Sequence, residues 1–285
     1  MTGSGKCWPE EDREKRMGKR KTNCRIALLL SLLLLVFTGC EKENEDTDHS
    51  LKTITDSGVL VLGLEENYPP MGFRNAAGEF TGFDIDLARE VCHRMGVTLQ
   101  PRGINWDDKE KELEEGLIDC VWNGLSATPA RAERMTLSEA YMKNDAVFVV
   151  AKNSRIKSAE DLEGKRVGTQ AGSSSEEKLN GSEIRDGIEL VLLDENMELF
   201  EQLDKGELDA IFLDSIFAYY YIAEYDKSYY LLPTVFDTED IVIGFRKGDL
   251  ALRDRIQEIL WEMRNDGTLA EISKKWFGTD VTTVR

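Results

Sequence analysis

From residue 51 onward, short apolar runs exchange regularly with helix-spaced ones, and no other feature of the chain limits its folding as much. Val59, Leu60, Val61, Leu62 and Gly63 read as a buried strand, followed by a turn at Tyr68-Pro69-Pro70. Residues 84–95 put Ile85, Ala88, Val91, Cys92 and Met95 at helical spacing, with Gly96 as the stop. A charged helix over 109–115, a strand over 118–121, a helix starting after Thr128 and an apolar strand over 146–151 complete a first unit. A second unit repeats the exchange, with strands over 165–169, 190–193 and 208–213 and helices opening at Gly172 and Asn196. A strand over 241–245 and two amphipathic stretches, 250–264 and 267–277, follow. This alternation predicts an α/β fold of mainly parallel sheets with helices on both faces. Two units joined by two strand-like crossings predict two lobes around a cleft. The first lobe is expected from residues 51–148 and 243–285, the second from 149–242.

The 285 residues, 41% of them hydrophobic, suffice for one large core or two ordinary ones. A formal charge of -18 and a pI near 4.7 would repel phosphates, so no nucleic-acid partner is expected. The first 40 residues hold 8 Lys/Arg and 4 Asp/Glu, which leaves 28 against 50, or -22, for the rest. Two His residues argue against a His-rich metal site, and neither a metal nor a cofactor is expected.

The front of the chain reads as a processing signal. Residues 26–37 are apolar apart from Ser31, a run too short to span a bilayer comfortably. Lys19, Arg20, Lys21 and Arg25 precede it, and Phe37-Thr38-Gly39-Cys40 closes it, the order of an export signal. A Cys after two small residues resembles the lipobox of bacterial lipoproteins, which implies cleavage before Cys40 and a diacylated N-terminal Cys. Phe37 stands where Leu is more usual. An uncleaved membrane anchor is the alternative. Residues 1–16 fit poorly ahead of such a signal, whereas Met17-Gly18-Lys19-Arg20-Lys21 has the form of a start. Translation is expected to begin at Met17, with a signal over 17–39. Residues 40–50 are then a flexible polar tether, lacking aliphatic side chains to bury. Cys92 and Cys120 are the thiols left in the folded part. A disulfide is open to them in an oxidising compartment, but their helix and strand settings favour two buried thiols.

Gly78-Glu79-Phe80-Thr81-Gly82-Phe83-Asp84-Ile85-Asp86-Leu87-Ala88 resembles the signature of bacterial extracellular solute-binding proteins of the polar amino acid family. Three more pieces follow in family order. They are Leu125-Ser126-Ala127-Thr128-Pro129-Ala130-Arg131, Val167-Gly168-Thr169-Gln170-Ala171-Gly172-Ser173 and Leu208-Asp209-Ala210-Ile211-Phe212-Leu213-Asp214. Met263 to Thr268 and Lys275-Trp276-Phe277 look like the family's last helices. The likeness runs from about residue 51 to 278. It implies a two-lobed periplasmic-binding-protein fold that closes on a free amino acid.

Arg131 stands out from the residues themselves. Thr128 fits an N-cap with Pro129 at the first helical position, so Arg131 falls in the first turn, where the helix dipole disfavours a cation. Gripping a carboxylate would explain it, and a surface pair with Glu133 or Glu139 is the bland alternative. The resemblance favours the grip and adds Ser126 to it. Gly172-Ser173-Ser174-Ser175 opens a helix whose N–H groups attract anions, while Ser174 and Glu177 fit a capping box. By resemblance Ser173 and Ser174 meet the ligand carboxylate. Asp214, at the end of a strand, and the Gly124 carbonyl meet its α-ammonium group; Asp209 reads as a structural turn residue.

Glu65, Tyr68, Trp106, Asn123 and Gln170 are the implied side-chain pocket. Tyr68 and Trp106 would sandwich the ligand side chain, although each aromatic taken alone is more often core packing. Glu65 replaces the Asp of many members and would act as counter-ion to a polar or cationic ligand. Apart from Arg131, no Lys or Arg matches a pocket position, which counts against a dicarboxylic ligand. The partners implied are a free amino acid, the permease of an ABC importer and, through Cys40, a membrane. A monomer without catalytic residues is expected. The rival readings are a cyclohexadienyl dehydratase-like enzyme, with Glu65 as general acid, and a ligand-sensing lipoprotein that reports to a partner.

Overall fold

The computed structural model describes residues 48–225, 228–233 and 236–285. The proposed extension 1–16, the signal 17–39, Cys40 and the tether up to residue 47 lie outside the described residues.

Two mixed sheets carry the fold. In the first, β1 (Val59–Leu64) pairs in parallel with β5 (Thr98–Gly103) and β6 (Cys120–Ser126). β14 (Glu239–Arg246) then joins β6 antiparallel, and β7 (Met135–Leu137) and β8 (Met142–Asn144) join β14. In the second, β10 (Arg166–Gln170) pairs in parallel with β11 (Glu189–Leu193) and β12 (Ala210–Asp214). β9 (Ala146–Ala151) runs antiparallel to β12 and carries β13 (Tyr229–Leu231) on its far side. Each sheet therefore has a parallel core of three strands, as alternation demands, and antiparallel strands where the chain crosses over. One crossing is at Asp145, between β8 and β9, and the other lies between β13 and β14. A small meander of β2 (Asn67–Tyr68), β3 (Gly72–Arg74) and β4 (Phe80–Thr81) extends the first lobe.

The central parallel strands β1, β6, β10 and β12 are buried on both faces, so they read as apolar runs. All seven residues of β6 are buried. The helix Phe83–Met95 lays Ile85, Ala88, Val91 and Cys92 on the first sheet and stops at Gly96, whose φ of 72° is a left-handed cap. The helix Asn196–Lys205 does the same in the second lobe with Leu199, Phe200 and Leu203, stopping at Gly206. The last two helices, Leu250–Asp266 and Thr268–Phe277, return to the first lobe, where Phe277 meets Phe83 edge-on at 5.1 Å. Asp209 is structural, its carboxylate accepting from the Arg166 amide at 2.9 Å.

The docked chain begins earlier than the expected tether allows. Asp48 Oδ2 accepts from the Ala251 amide at 2.5 Å, and Ser50 Oγ accepts from the Leu252 amide at 3.1 Å. Residues 48–50 thus cap the helix Leu250–Asp266, satisfying N–H groups that a helix cannot satisfy internally. Cys92 and Cys120 are both free and buried. Burial pushes the Cys92 thiol up to about 12 and raises Cys120 as well. Among the described residues, no helix is long and apolar enough to cross a membrane.

Candidate functional site

All eleven residues singled out in the sequence line one cavity between the lobes. The first lobe contributes Glu65, Tyr68, Trp106, Asn123, Gly124, Ser126 and Arg131. The second contributes Gln170, Ser173, Ser174 and Asp214.

One end is built around Arg131. Thr128 caps its helix, the hydroxyl accepting from the Arg131 amide at 3.3 Å, with Pro129 first in the helix. The side chain turns inward and is 2% exposed, so it forms no surface pair with Glu133 or Glu139. Nη1 donates to the Ser126 carbonyl at 2.9 Å and Nη2 to the Gly172 carbonyl, in the other lobe, at 3.0 Å. Glu177 Oε1 is 4.0 Å from Nε. Burial lowers the guanidinium's proton affinity, and Glu177 and Glu239 work against that.

The facing turn differs from its expected capping. Ser173 caps the helix Ser174–Asn180, accepting from the Glu176 amide at 3.1 Å, and Glu176 Oε2 accepts from Gly172 N at 2.7 Å. The Ser–Glu pair is therefore Ser173 and Glu176, one residue ahead of Ser174 and Glu177. The shift frees Ser174, whose Oγ lies 3.1 Å from Ser126 Oγ. Both hydroxyls donate to Glu239 Oε2, at 2.9 Å from Ser126 and 3.0 Å from Ser174. Gly172 has φ 66°, and a Cβ there would lie 2.5 Å from Asp107 Oδ1 of the other lobe. Only glycine lets the two backbones approach this closely.

Asp214 forms the second charged point. The Tyr68 hydroxyl donates to its Oδ2, and Asn144 Nδ2 donates to Oδ1 at 2.7 Å. Burial raises its carboxyl to about 6. Gly124, at φ 64°, lies against the Tyr68 ring, and its N–H donates to Asp84 Oδ2 at 2.8 Å. The other oxygen of Asp84 accepts from the Tyr141 hydroxyl at 2.9 Å, and burial raises Asp84 to about 7.

At the remaining end, Gln170 Nε2 crosses the cleft to Glu65 Oε2 at 2.7 Å, while Asn196 Nδ2 holds Gln170 Oε1 at 2.7 Å. Asn123 Oδ1 accepts from the Glu65 amide at 3.0 Å. Glu65 is 6% exposed, and burial brings its carboxyl up to about 7. Among the described residues, Glu65 Oε1 and Asn123 Nδ2 are buried without a hydrogen-bond partner. Tyr68 stacks on Phe217 at 5.2 Å, and Trp106 packs in the cluster of Leu113, Ile118 and Val121. Both rings line the cavity.

Residues 60–279 match the bacterial extracellular solute-binding proteins, family 3. The chain belongs to this family. The solute-binding protein is similar to the L-cystine-binding protein TcyJ of Escherichia coli (strain K12), 28% identical over 260 residues that cover 90% of this chain and 97% of the relative. It also resembles the solved ABC uptake transporter substrate binding protein from Streptococcus pneumoniae with bound histidine. That likeness has a TM-score of 0.81 and 35% identity over 84% of this chain and 99% of the other. A third likeness is to the ancestral amino acid-binding protein AncCDT-1, described as a precursor of cyclohexadienyl dehydratase. It has a TM-score of 0.74 and 31% identity, covering 80% of this chain and 99% of that one.

Three polar residues of this solute-binding protein's site were not singled out in the sequence. Asn144 and Glu239 arrive from the crossing strands, and Lys109 from a helix whose charge pattern reads as a solvated face. Lys109 is only 3% exposed. Its Nζ donates to the Trp106 carbonyl at 2.9 Å and to the Gly172 carbonyl at 2.8 Å.

Proposed function

We propose that this protein captures a free amino acid, polar or cationic, outside the cytoplasm and delivers it to the permease of an ABC-type importer. One observation carries the reading. A buried Arg131 from the first lobe and a half-buried Asp214 from the second line the same cavity. A zwitterion needs a cation for its carboxylate and an anion for its ammonium, and here the two belong to different lobes. A ligand touching both makes contacts that the separated lobes cannot offer, so its binding energy drives closure. The family's extracellular placement and relatives named for cystine and histidine support the same reading.

The side-chain end narrows the ligand. Glu65 Oε1 calls for a donor and Asn123 Nδ2 for an acceptor, since an unpartnered buried polar atom is costly. An imidazole, a carboxamide or the far amino and carboxylate groups of cystine offers both. Arginine and lysine offer donors alone and leave Asn123 unserved. The neutral polar members of the polar-or-cationic class are therefore the better fit.

Capture without turnover is part of the proposal, because Arg131 and Asp214 together offer the grip that an intact free amino acid needs. Release of product from prephenate or arogenate would overturn it. Also proposed are a start at Met17, a signal over 17–39, a diacylated Cys40 and a monomeric solution state. Mass spectrometry of the mature N-terminal peptide tests the anchor, and an unmodified Cys40 would remove it. Capture itself is tested by thermal shift against the free amino acids. A ligand that binds only the native form raises the melting temperature, and Arg131→Ala should abolish the rise.

A further inference from the structure

The Gly172 carbonyl receives two cations at once. Arg131 Nη2 is 3.0 Å and Lys109 Nζ 2.8 Å from the same oxygen, which keeps like charges within about 6 Å of each other inside the protein. Neither side chain is solvated. The acids at this end are already engaged or partly solvated: Glu177 is 4.0 Å from Arg131 and exposed, Glu110 is paired with Arg134 at 3.2 Å, and Glu239 accepts from Ser126 and Ser174 and pairs with Lys178 at 3.5 Å. Asp107 packs on Gly172 from the same segment as Lys109. Lys109 does not line the cavity, and its two acceptors are backbone carbonyls, one in each lobe.

We infer that Lys109 is a positioning residue that makes closure conditional on a carboxylate. Its bond to Gly172 exists only when the lobes meet, and forming it brings a second positive charge up to Arg131. With an anionic group in the cavity, that crowding becomes attraction and the bond secures the turn over the ligand. With a neutral group in its place, the two cations oppose closure. Desolvation, followed by the Arg131 charge, pulls the Lys109 ammonium down to about 7, with Glu110, Asp107 and Glu177 working against that.

This inference rests on amino acid capture, and its test separates the two. The coded amino acids and L-cystine are screened against wild-type protein by thermal shift. Each one that binds is then titrated by calorimetry beside its α-carboxamide, in wild type, Lys109→Met and Lys109→Arg. Lys109→Met should weaken the amino acid by about 10-fold, in keeping with one lost charge-assisted bond, and leave the amide bound as tightly as before or more tightly. Lys109→Arg should restore most of the preference for the carboxylate. Equal losses for acid and amide, or unchanged binding of both, would overturn the role of Lys109 and leave capture standing. Failure of every amino acid to bind wild type would overturn capture, and the inference with it.

Discussion

The two ends of the cavity are built on opposite plans. Around Arg131, the polar groups are tied to one another: the guanidinium to two carbonyls, and the Ser126 and Ser174 hydroxyls to Glu239. Around Glu65, two buried atoms have no partner among the described residues. The closed end resembles a fixed socket, which would suit the part that every α-amino acid shares. The open end keeps unmet hydrogen-bonding capacity, which would suit the part that differs. Unpartnered polar atoms that line a cavity are available to a ligand. The contrast also explains the distribution of charge. Arg131, Lys109 and Lys178 gather at the first end with Glu177 and Glu239 as counter-ions, while Glu65 and Asp214 occupy the remainder of the cavity without a basic partner of their own there, and burial raises both carboxyls.

The strongest way to break this division is at the socket. Arg131→Ala should weaken every amino acid by about 100-fold or more, since truncating one partner of a buried charge pair costs about 2–5 kcal/mol. Calorimetry with several side-chain types decides it: a loss confined to one ligand would mean that Arg131 reads the side chain. Asp214→Asn should follow with a loss of roughly 10- to 100-fold, again for all ligands, because it removes the ammonium's counter-charge and disturbs Tyr68 and Asn144. Glu65→Gln should act differently. Cationic amino acids should lose about 10-fold, while glutamine or histidine changes by less than about 3-fold, because an amide still offers Oε1 as an acceptor. Uniform losses across all ligands would erase the distinction between the two ends.

The sequence carried this architecture unevenly, and for physical reasons. β1, β6, β10 and β12 are buried on both faces, so their apolar runs announce them. β5 is an edge strand with alternating exposure, Thr98, Gln100 and Arg102 interrupting it, and it reads as a loop. β7 and β8 have three residues each, too few to show a period. At the site, Arg131 was legible because a cation in a capped first turn needs a reason. The other ten positions came from the family likeness, since no spacing rule brings Glu65 to Gln170 across 105 residues. Asn144 and Glu239 escaped because crossing strands place them, and their neighbours in sequence give no hint of a cavity. Lys109 escaped because the helix Lys109–Glu114 is charged on most faces and only tertiary packing selects the buried one.

A dependence on pH tests the electrostatics of both ends together. Burial is the main cause that raises Glu65 from 4.5 to about 7, Asp84 from 3.8 to about 7 and Asp214 from 3.8 to about 6. A carboxyl raised in the folded state holds its proton there while the unfolded chain has released it. Stability from these groups is therefore present at low pH and is lost as pH climbs through the raised values. Acids with lowered values, such as Asp266 at about 2, are already ionised in both states above pH 5 and add no slope. Lys109 stays charged in both states below about 7, so the window from pH 5 to pH 7 belongs to the buried carboxyls. The ligand-free protein should melt several degrees lower at pH 7 than at pH 5, because each carboxyl raised to about 7 loses on the order of 2 kcal/mol over that interval. An amino acid whose ammonium needs ionised Asp214 should reverse the trend, so the rise it produces in melting temperature grows over the same interval. Glu65→Gln should flatten the ligand-free slope without abolishing it, because Asp84 and Asp214 remain. A ligand-free melting temperature that climbs from pH 5 to pH 7 would show that these carboxylates are stabilised as charges, and the open end of the cavity would then need no ligand to complete it.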